Sequence, residues 1–184
     1  MLRIISGRFR QKRLFLPDQK TTRPTTDRVR EAVFNVLLHT FHIDFSKVAV
    51  LDVFAGSGSM GLEALSRGAQ HVSFVEKDPK VIQVLEKNIG AFLPLDKVTV
   101  FKMDALKLGK AKAPVGLIFL DPPYQQGLIE PTVTHLLKQG WIDAETLICI
   151  ESSKKDSPET LFGFDGLDKR IYGGSAISFW RTSA

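Results

Sequence analysis

The chain has 184 residues, 43% hydrophobic and 24% charged, with a formal net charge of +5. Such a chain is long enough to bury a core as one domain, and its composition excludes a disordered or fibrous protein. No apolar run approaches the ~18 residues of a membrane span, and the start MLRIISGRFR has no apolar stretch behind its basic residues, so neither a span nor a secretory leader is expected.

Cys149 is the single cysteine, so no internal disulfide can form and a cytoplasmic setting is expected. It sits in the strand-like run LICIES, where it reads as a small buried hydrophobe. The four histidines, His39, His42, His71 and His135, show no ligand spacing, and no metal site is expected. Charge is concentrated at the beginning. Residues 1–30 hold nine basic groups against Asp18 and Asp27, a local +7 that leaves the remaining chain at −2. A basic end on a nearly neutral body suggests a polyanion-binding surface, as opposed to a merely solvated arm.

In chain order, the first element is an amphipathic helix over 25–41, with Thr26 or Asp27 as a cap. KVAVLDVF follows as a strand, and its glycine turn opens the helix SMGLEALSRG, which Gly68 stops. HVSFVEKD is the second strand, and PKVIQVLEKNI is a helix with proline at its first position. VTVFKMDAL is a third strand, and VGLIFLDPPY a fourth, apolar enough to be central and covered on both faces. A helix over roughly 128–139 precedes a fifth strand, TLICIES. KRIYGGSAISFWR closes the chain as two β-rich runs around Gly173-Gly174, a hairpin. The basic run Arg8, Arg10, Lys12, Arg13 has near-alternating spacing, which on a strand puts its first three members on one face. Trp141, Trp180 and Phe92 read as packing residues.

This alternation predicts an α/β fold: a mostly parallel, doubly wound sheet with an antiparallel hairpin at its edge, in one domain with a basic extension over 1–25. Ligands on such sheets bind beyond the carboxyl ends of the strands. The chemically unusual residues fall at four of those ends, namely 52–61, 76–78, Asp104 and 121–124.

Gly56-Ser57-Gly58-Ser59-Met60-Gly61 matches G-x-G-x-x-G between a strand and a helix, with Glu76 twenty residues beyond Gly56. Taken alone this fits a nicotinamide dinucleotide. Asp52 argues otherwise, because a carboxylate beside a pyrophosphate is repulsive, whereas it suits a ligand carrying an ammonium group, such as S-adenosylmethionine. A bare strand–helix turn would need fewer glycines and no acid. Asp121-Pro122-Pro123-Tyr124 then decides the chemistry. An exocyclic amine on a base is a poor nucleophile, because its lone pair is delocalised into the ring. The Asp121 side chain and Pro122 carbonyl can accept its N–H bonds and localise charge on nitrogen as a methyl group arrives. The two prolines stiffen the backbone, and Tyr124 offers a face on which a base can stack.

Asp52-x-Phe54-x-Gly56-x-Gly58, Glu76 and Asp121 to Tyr124 resemble the motifs of class I amino-methyltransferases. The runs Arg3 to Arg8, Arg23 to Phe34, Leu51 to Gly58 and Lys169 to Gly174, in that order, resemble more specifically the bacterial 16S ribosomal RNA guanine-N2 methyltransferases. The resemblance implies a Rossmann-like, seven-stranded methyltransferase fold and methyl transfer from S-adenosyl-L-methionine to N2 of one guanine in 16S ribosomal RNA, within an assembled small-subunit particle, by a monomer. It implies that Asp52, Phe54, Ala55, Gly56, Gly58, Glu76, Lys77, Asp104 and Ala105 hold the cofactor, Glu76 on the ribose hydroxyls and Asp104 near the adenine amine. Asp121, Pro122, Pro123 and Tyr124 hold the guanine amine. Arg8, Arg10, Lys12 and Arg13 contact RNA, and Arg23 and Arg28 contact RNA or close over the cofactor.

The same four-residue motif serves adenine N6 and cytosine N4, so a DNA or RNA methyltransferase of those amines is the alternative. The 60 residues after Tyr124 read as completing the sheet and leave no room for a separate DNA-recognition region. A nicotinamide oxidoreductase, or a non-catalytic RNA-binding module with a relic site, fits less well. The expected reaction is direct transfer to a base flipped into the pocket, with no cysteine adduct.

Overall fold

The runs of Val, Ile, Leu and Phe form the strands of one sheet, and the periodic segments between them form helices that cover it. The computed structural model describes residues 2–17, 27–92, 95–124 and 126–183. The elements are α1 (Asp27–His39), β1 (Ala49–Val53), α2 (Ser59–Ser66), β2 (His71–Glu76), α3 (Pro79–Ile89), β3 (Val98–Lys102), β4 (Leu117–Leu120), α4 (Ile129–Lys138), β5 (Leu147–Ser153), β6 (Phe164–Tyr172) and β7 (Ser175–Thr182). The sheet has seven strands in the order β3-β2-β1-β4-β5-β7-β6. β3 through β5 are parallel, and β7 pairs antiparallel with both β5 and β6. This is the class I methyltransferase-like architecture expected from the sequence. The chain winds from β1 to β2 and β3, then crosses back to β4, so the topological switch lies between β1 and β4.

Both faces are buried, which is why the central strands read as continuous apolar runs. On one face, Val50, Phe74, Leu117, Phe119 and Leu147 pack with Val33, Phe34 and Leu37 of α1, Leu62 of α2 and Leu85 of α3. On the other, Leu51, Val53, Ile118, Leu120 and Ile148 pack with Val133 and Leu136 of α4. Trp141, Trp180 and Phe92 are buried packing residues, and Cys149 is buried in β5, as expected.

Three details differ from the sequence reading. β4 is only four residues long, because Gly116 sits against Val48 and Pro122-Pro123 lack the N–H groups needed to extend the ladder. β6 begins at Phe164, ahead of the expected Lys169. Its first half, FDGLD, has poor strand propensity, yet it is held by β7, with Trp180 against Gly166 and a register shift between Gly166 and Asp168.

The basic N-terminal segment is the third. Arg8, Arg10, Lys12 and Arg13 do not lie along a strand. The segment reverses through positive φ at Gly7 (+82°) and Gln11 (+69°), and only Arg3 and Arg13 form a bridge. Leu2, Ile4 and Leu14 are buried against the core. Gly7 is packed so closely on the end of α2 that a Cβ there would lie 2.0 Å from the Ser66 carbonyl oxygen. Backbone sterics, not alternation, therefore decide where these side chains point.

An ion cluster fixes the segment. Glu63 of α2 is fully buried and accepts the N–H groups of Ile5 (2.7 Å) and Ser6 (3.0 Å), and Arg67 Nε donates to it at 2.8 Å. Arg30 of α1, also fully buried, donates to the Arg3 carbonyl and to Asp27 (3.0 Å), with Glu63 3.9 Å from its Nε. Burial holds its pKa below the usual guanidinium value, against the opposing pull of Asp27 and Glu63.

Candidate active site

β1 ends at Val53, and the chain then turns sharply. Phe54 (+60°), Gly56 (+58°) and Gly58 (+78°) all have positive φ, and Phe54 is the one that carries a side chain in this strained region. Gly58 caps α2. A Cβ on Gly61 would fall 2.4 Å from the Phe74 ring, so the third glycine lets α2 press onto β2.

Carboxylates at the ends of β1 and β2 brace this turn. Asp52 is buried and accepts the Gly61 N–H at 2.8 Å. Burial is the main reason its pKa is pushed up to about 7; the Gly61 bond opposes the shift, and repulsion from Glu76 adds to it. Glu76 accepts the Gly56 N–H at 3.1 Å with one oxygen, and the N–H groups of Lys77 (2.8 Å) and Asp78 (3.0 Å) with the other. Asp78 in turn caps α3, with Pro79 in the first turn. Past β3, Asp104 accepts the Leu106 N–H at 3.0 Å and lies 3.4 Å from Lys77 Nζ. The Leu106 bond, with help from Lys77, draws its pKa down. Ala105 is buried beside it, and Ala55 is buried in the turn.

Across the switch, the Asp121 N–H donates to the Val53 carbonyl at 3.4 Å, which joins the start of the proline motif to the start of the glycine turn. Pro122 is buried, whereas Pro123 and Tyr124 are exposed. The Tyr124 hydroxyl is 3.5 Å from Ser175 Oγ, at the tip of the β6–β7 hairpin. The Asp121 carboxyl is held well above the usual carboxylate range by burial first, then by repulsion from Glu151 and Asp52. Burial, Glu151 and Asp121 likewise push the Cys149 thiol up, so it stays protonated and is a poor nucleophile.

The predicted cofactor and base residues are thus brought to one edge of the sheet, on the ends of β1, β2, β3 and β4. The predicted RNA residues are not. Arg8, Arg10 and Arg13 are exposed on the docked N-terminal segment, and Lys12 lies half-buried with its Nζ 4.8 Å from the Phe92 ring. Arg28 is exposed in the first turn of α1, and Arg23 lies outside the described residues. Sequence reasoning missed Glu151, a buried carboxylate at the end of β5, although its place at a strand's carboxyl end was the available signal. It also missed Glu63, whose burial nothing in the helix pattern announces. Among the described residues, no group of three His, Cys, Asp or Glu side chains is placed to hold a metal, and no helix is long and apolar enough to cross a membrane.

The donor set fits a cofactor with an ammonium, ribose hydroxyls and a base amine: Asp52 and Glu76 stand at the ends of β1 and β2, and Asp104 just beyond the adjacent β3, around an open glycine turn. A Cβ on Gly56 would meet nothing nearer than 3.9 Å, so ligand atoms can come close to the turn.

Known proteins agree with this geometry. Residues 2–181 match the family described as conserved hypothetical protein 95. The chain is 41% identical over 161 residues to ribosomal RNA small subunit methyltransferase D of Escherichia coli, covering 87% of this chain and 79% of that one. The solved structure of Escherichia coli yhhF superposes with a TM-score of 0.85 at 36% identity, covering 100% of this chain and 98% of that one. Magnesium protoporphyrin IX methyltransferase from Synechocystis, solved with bound SAM, shares the fold at a TM-score of 0.65 and 13% identity, covering 88% and 87%. The chain therefore belongs to the conserved hypothetical protein 95 family, together with the methyltransferases named ribosomal RNA small subunit methyltransferase D.

Proposed function

We propose that this protein transfers a methyl group from S-adenosyl-L-methionine to the exocyclic N2 of one guanine in 16S ribosomal RNA, presented within a small-subunit particle. The observation that carries the reading is the bond between Asp121 N–H and the Val53 carbonyl. It sets an amine-binding motif directly beside a turn suited to the methyl donor. The names of the relatives support ribosomal RNA as the substrate class; the choice of guanine N2 rests on the run of motifs.

The bound donor supplies an electrophilic methyl on a sulfonium. Asp52 faces its ammonium, Glu76 its ribose hydroxyls, and Asp104 with Ala105 its adenine; Phe54 to Gly58 and Lys77 complete the cradle. The target base leaves its stack at a cost of a few kcal/mol and stacks on Tyr124. A carboxyl oxygen of Asp121 and the Pro122 carbonyl accept the amine N–H bonds, which directs the nitrogen lone pair outward for in-line attack. Arg8, Arg10, Lys12, Arg13, Arg23 and Arg28 contact phosphates and orient the particle, leaving base choice to the pocket.

The test is mass spectrometry of ribosomal RNA from cells lacking the gene, with the purified protein added back to their subunits. One N2-methylguanine goes missing and is restored. Loss of a methyladenine or methylcytosine instead would establish the alternative amine chemistry.

A further inference from the structure

The glycine turn is braced on several sides. The Ala55 carbonyl accepts the Gly58 N–H at 2.7 Å, which closes a four-residue turn from Ala55 to Gly58. Glu76 takes the Gly56 N–H, and Asp52 the Gly61 N–H. The Ser57 carbonyl is held from farther along the chain. Asn88, in the last turn of α3 and only 1% exposed, donates to it through Nδ2 at 2.8 Å.

The same side chain grips the N-terminal segment. Asn88 Nδ2 also donates to the Phe15 carbonyl at 3.0 Å, and its Oδ1 accepts the Phe15 N–H at 2.8 Å. Two carbonyls can only accept and an N–H can only donate, so these three partners allow the amide one orientation. Elsewhere the segment is fastened to α2, through Glu63 with Ile5 and Ser6 and through Ser66 with Phe9. Asn88 fastens it to α3 and, by the same amide, to the turn.

We propose that Asn88 is a positioning residue for the methyl donor, and that through it the docked N-terminal segment becomes part of the donor site. Phe15 orients the amide, and the amide holds the Ser57 carbonyl. This rests on the donor binding proposed above. The Ser57–Gly58 peptide is fixed at both ends, its carbonyl by Asn88 and its N–H by Ala55, so the turn meets the donor already in shape. A buried carbonyl without a donor is costly. Once Asn88 is removed, the Ser57 carbonyl must turn to find another partner, and the backbone that is to lie against the ligand loses its fixed form. Asn88 stands outside the proposed cradle and acts on it through Ser57.

Asn88→Asp keeps the shape but sets a carboxyl oxygen against the two carbonyls, and Asn88→Ala removes all three bonds. In both, the Kd for S-adenosylmethionine, measured by calorimetry on protein whose melting curve shows it folded, rises about tenfold. With ribosomal subunits as substrate the defect lies in KM for the donor, while kcat stays within about twofold of wild type. Ile89→Ala truncates a core residue in the same turn of α3; it lowers the melting temperature and leaves the donor Kd unchanged. A purely structural Asn88 would behave like Ile89. In the wild-type protein, where no variant has to fold, S-adenosylmethionine slows hydrogen exchange at the Phe15 amide several-fold, because that amide reaches the turn through Asn88. An unchanged donor Kd in folded Asn88→Ala, or Phe15 exchange unmoved by the donor, overturns the inference and leaves the proposed function standing. A wild-type protein that binds no S-adenosylmethionine overturns both.

Discussion

The carboxylate of Glu76 reaches from the end of β2 to accept the Gly56 N–H at 3.1 Å, so the acid expected on the cofactor ribose also holds the glycine turn in shape. A carboxylate has about four acceptor positions. Three here are taken by backbone amides, which leaves capacity for a hydroxyl. Glu76→Ala is expected to weaken S-adenosylmethionine binding by roughly 10- to 100-fold through loss of both roles. Calorimetric titration of the donor measures it, and an unchanged Kd contradicts it.

Asp52 gives donor binding a pH dependence. Its carboxyl, raised to about 7 by burial, is largely protonated below neutrality, and a cationic ligand favours its ionised form. Affinity for S-adenosylmethionine should therefore fall as pH drops from 8 to 6, by up to about tenfold per unit once the group is protonated. The stability effect has the opposite sign. A carboxyl whose folded pKa lies above its unfolded value binds more protons when folded, so it destabilises the protein as pH rises from about 4 through about 7. Asp52→Asn should raise the melting temperature of the free protein at pH 8, by roughly 1–3 kcal/mol of stability, and flatten the pH dependence of donor affinity. Scanning calorimetry and titrations at several pH values check both.

Glu63 ties the N-terminal segment to the domain. Removing it takes the acceptor from Arg67 Nε and from the N–H groups of Ile5 and Ser6, and leaves buried Arg30 with Asp27 as its remaining carboxylate. Glu63→Ala should cost about 3–5 kcal/mol. Gly7→Ala should lift the segment from α2, because no neighbour can move to admit a Cβ 2.0 Å from the backbone oxygen of Ser66. Denaturation, and proteolysis of the N-terminal segment, report the two effects separately.

Arg10 and Arg13 are exposed on that segment. If they neutralise phosphates, the double variant Arg10→Ala/Arg13→Ala should weaken RNA binding for all sequences and reduce the slope of log K against log salt by about two. Donor affinity should be unaffected. Filter binding over a salt series checks this.

The sheet was legible because parallel strands covered on both faces leave unbroken apolar runs, and because Gly68 and Pro79 punctuate the helices. The site was legible because Asp52, Glu76, Asp104 and Asp121 each follow such a run at its carboxyl end. What could not be read depends on tertiary contact. Alternating arginines at 8–13 suggested a strand, but pairing is confined to a short antiparallel bridge between Arg3 and Arg13, and Gly7 and Gln11 turn the chain before it. β6 extends back to Phe164 only because β7 holds it. Glu63 and Glu151 look like ordinary acids of a helix and a strand, and only packing shows them buried.

The central claim is that Asp121 holds the amine which attacks the methyl group, and single-turnover methylation of small-subunit particles by Asp121→Ala tests it most directly. The account predicts donor affinity within a few-fold of wild type and a methyl-transfer rate lower by about 10²–10³, the usual cost of removing one transition-state acceptor or donor. Wild-type turnover by that variant, with donor bound, would contradict it.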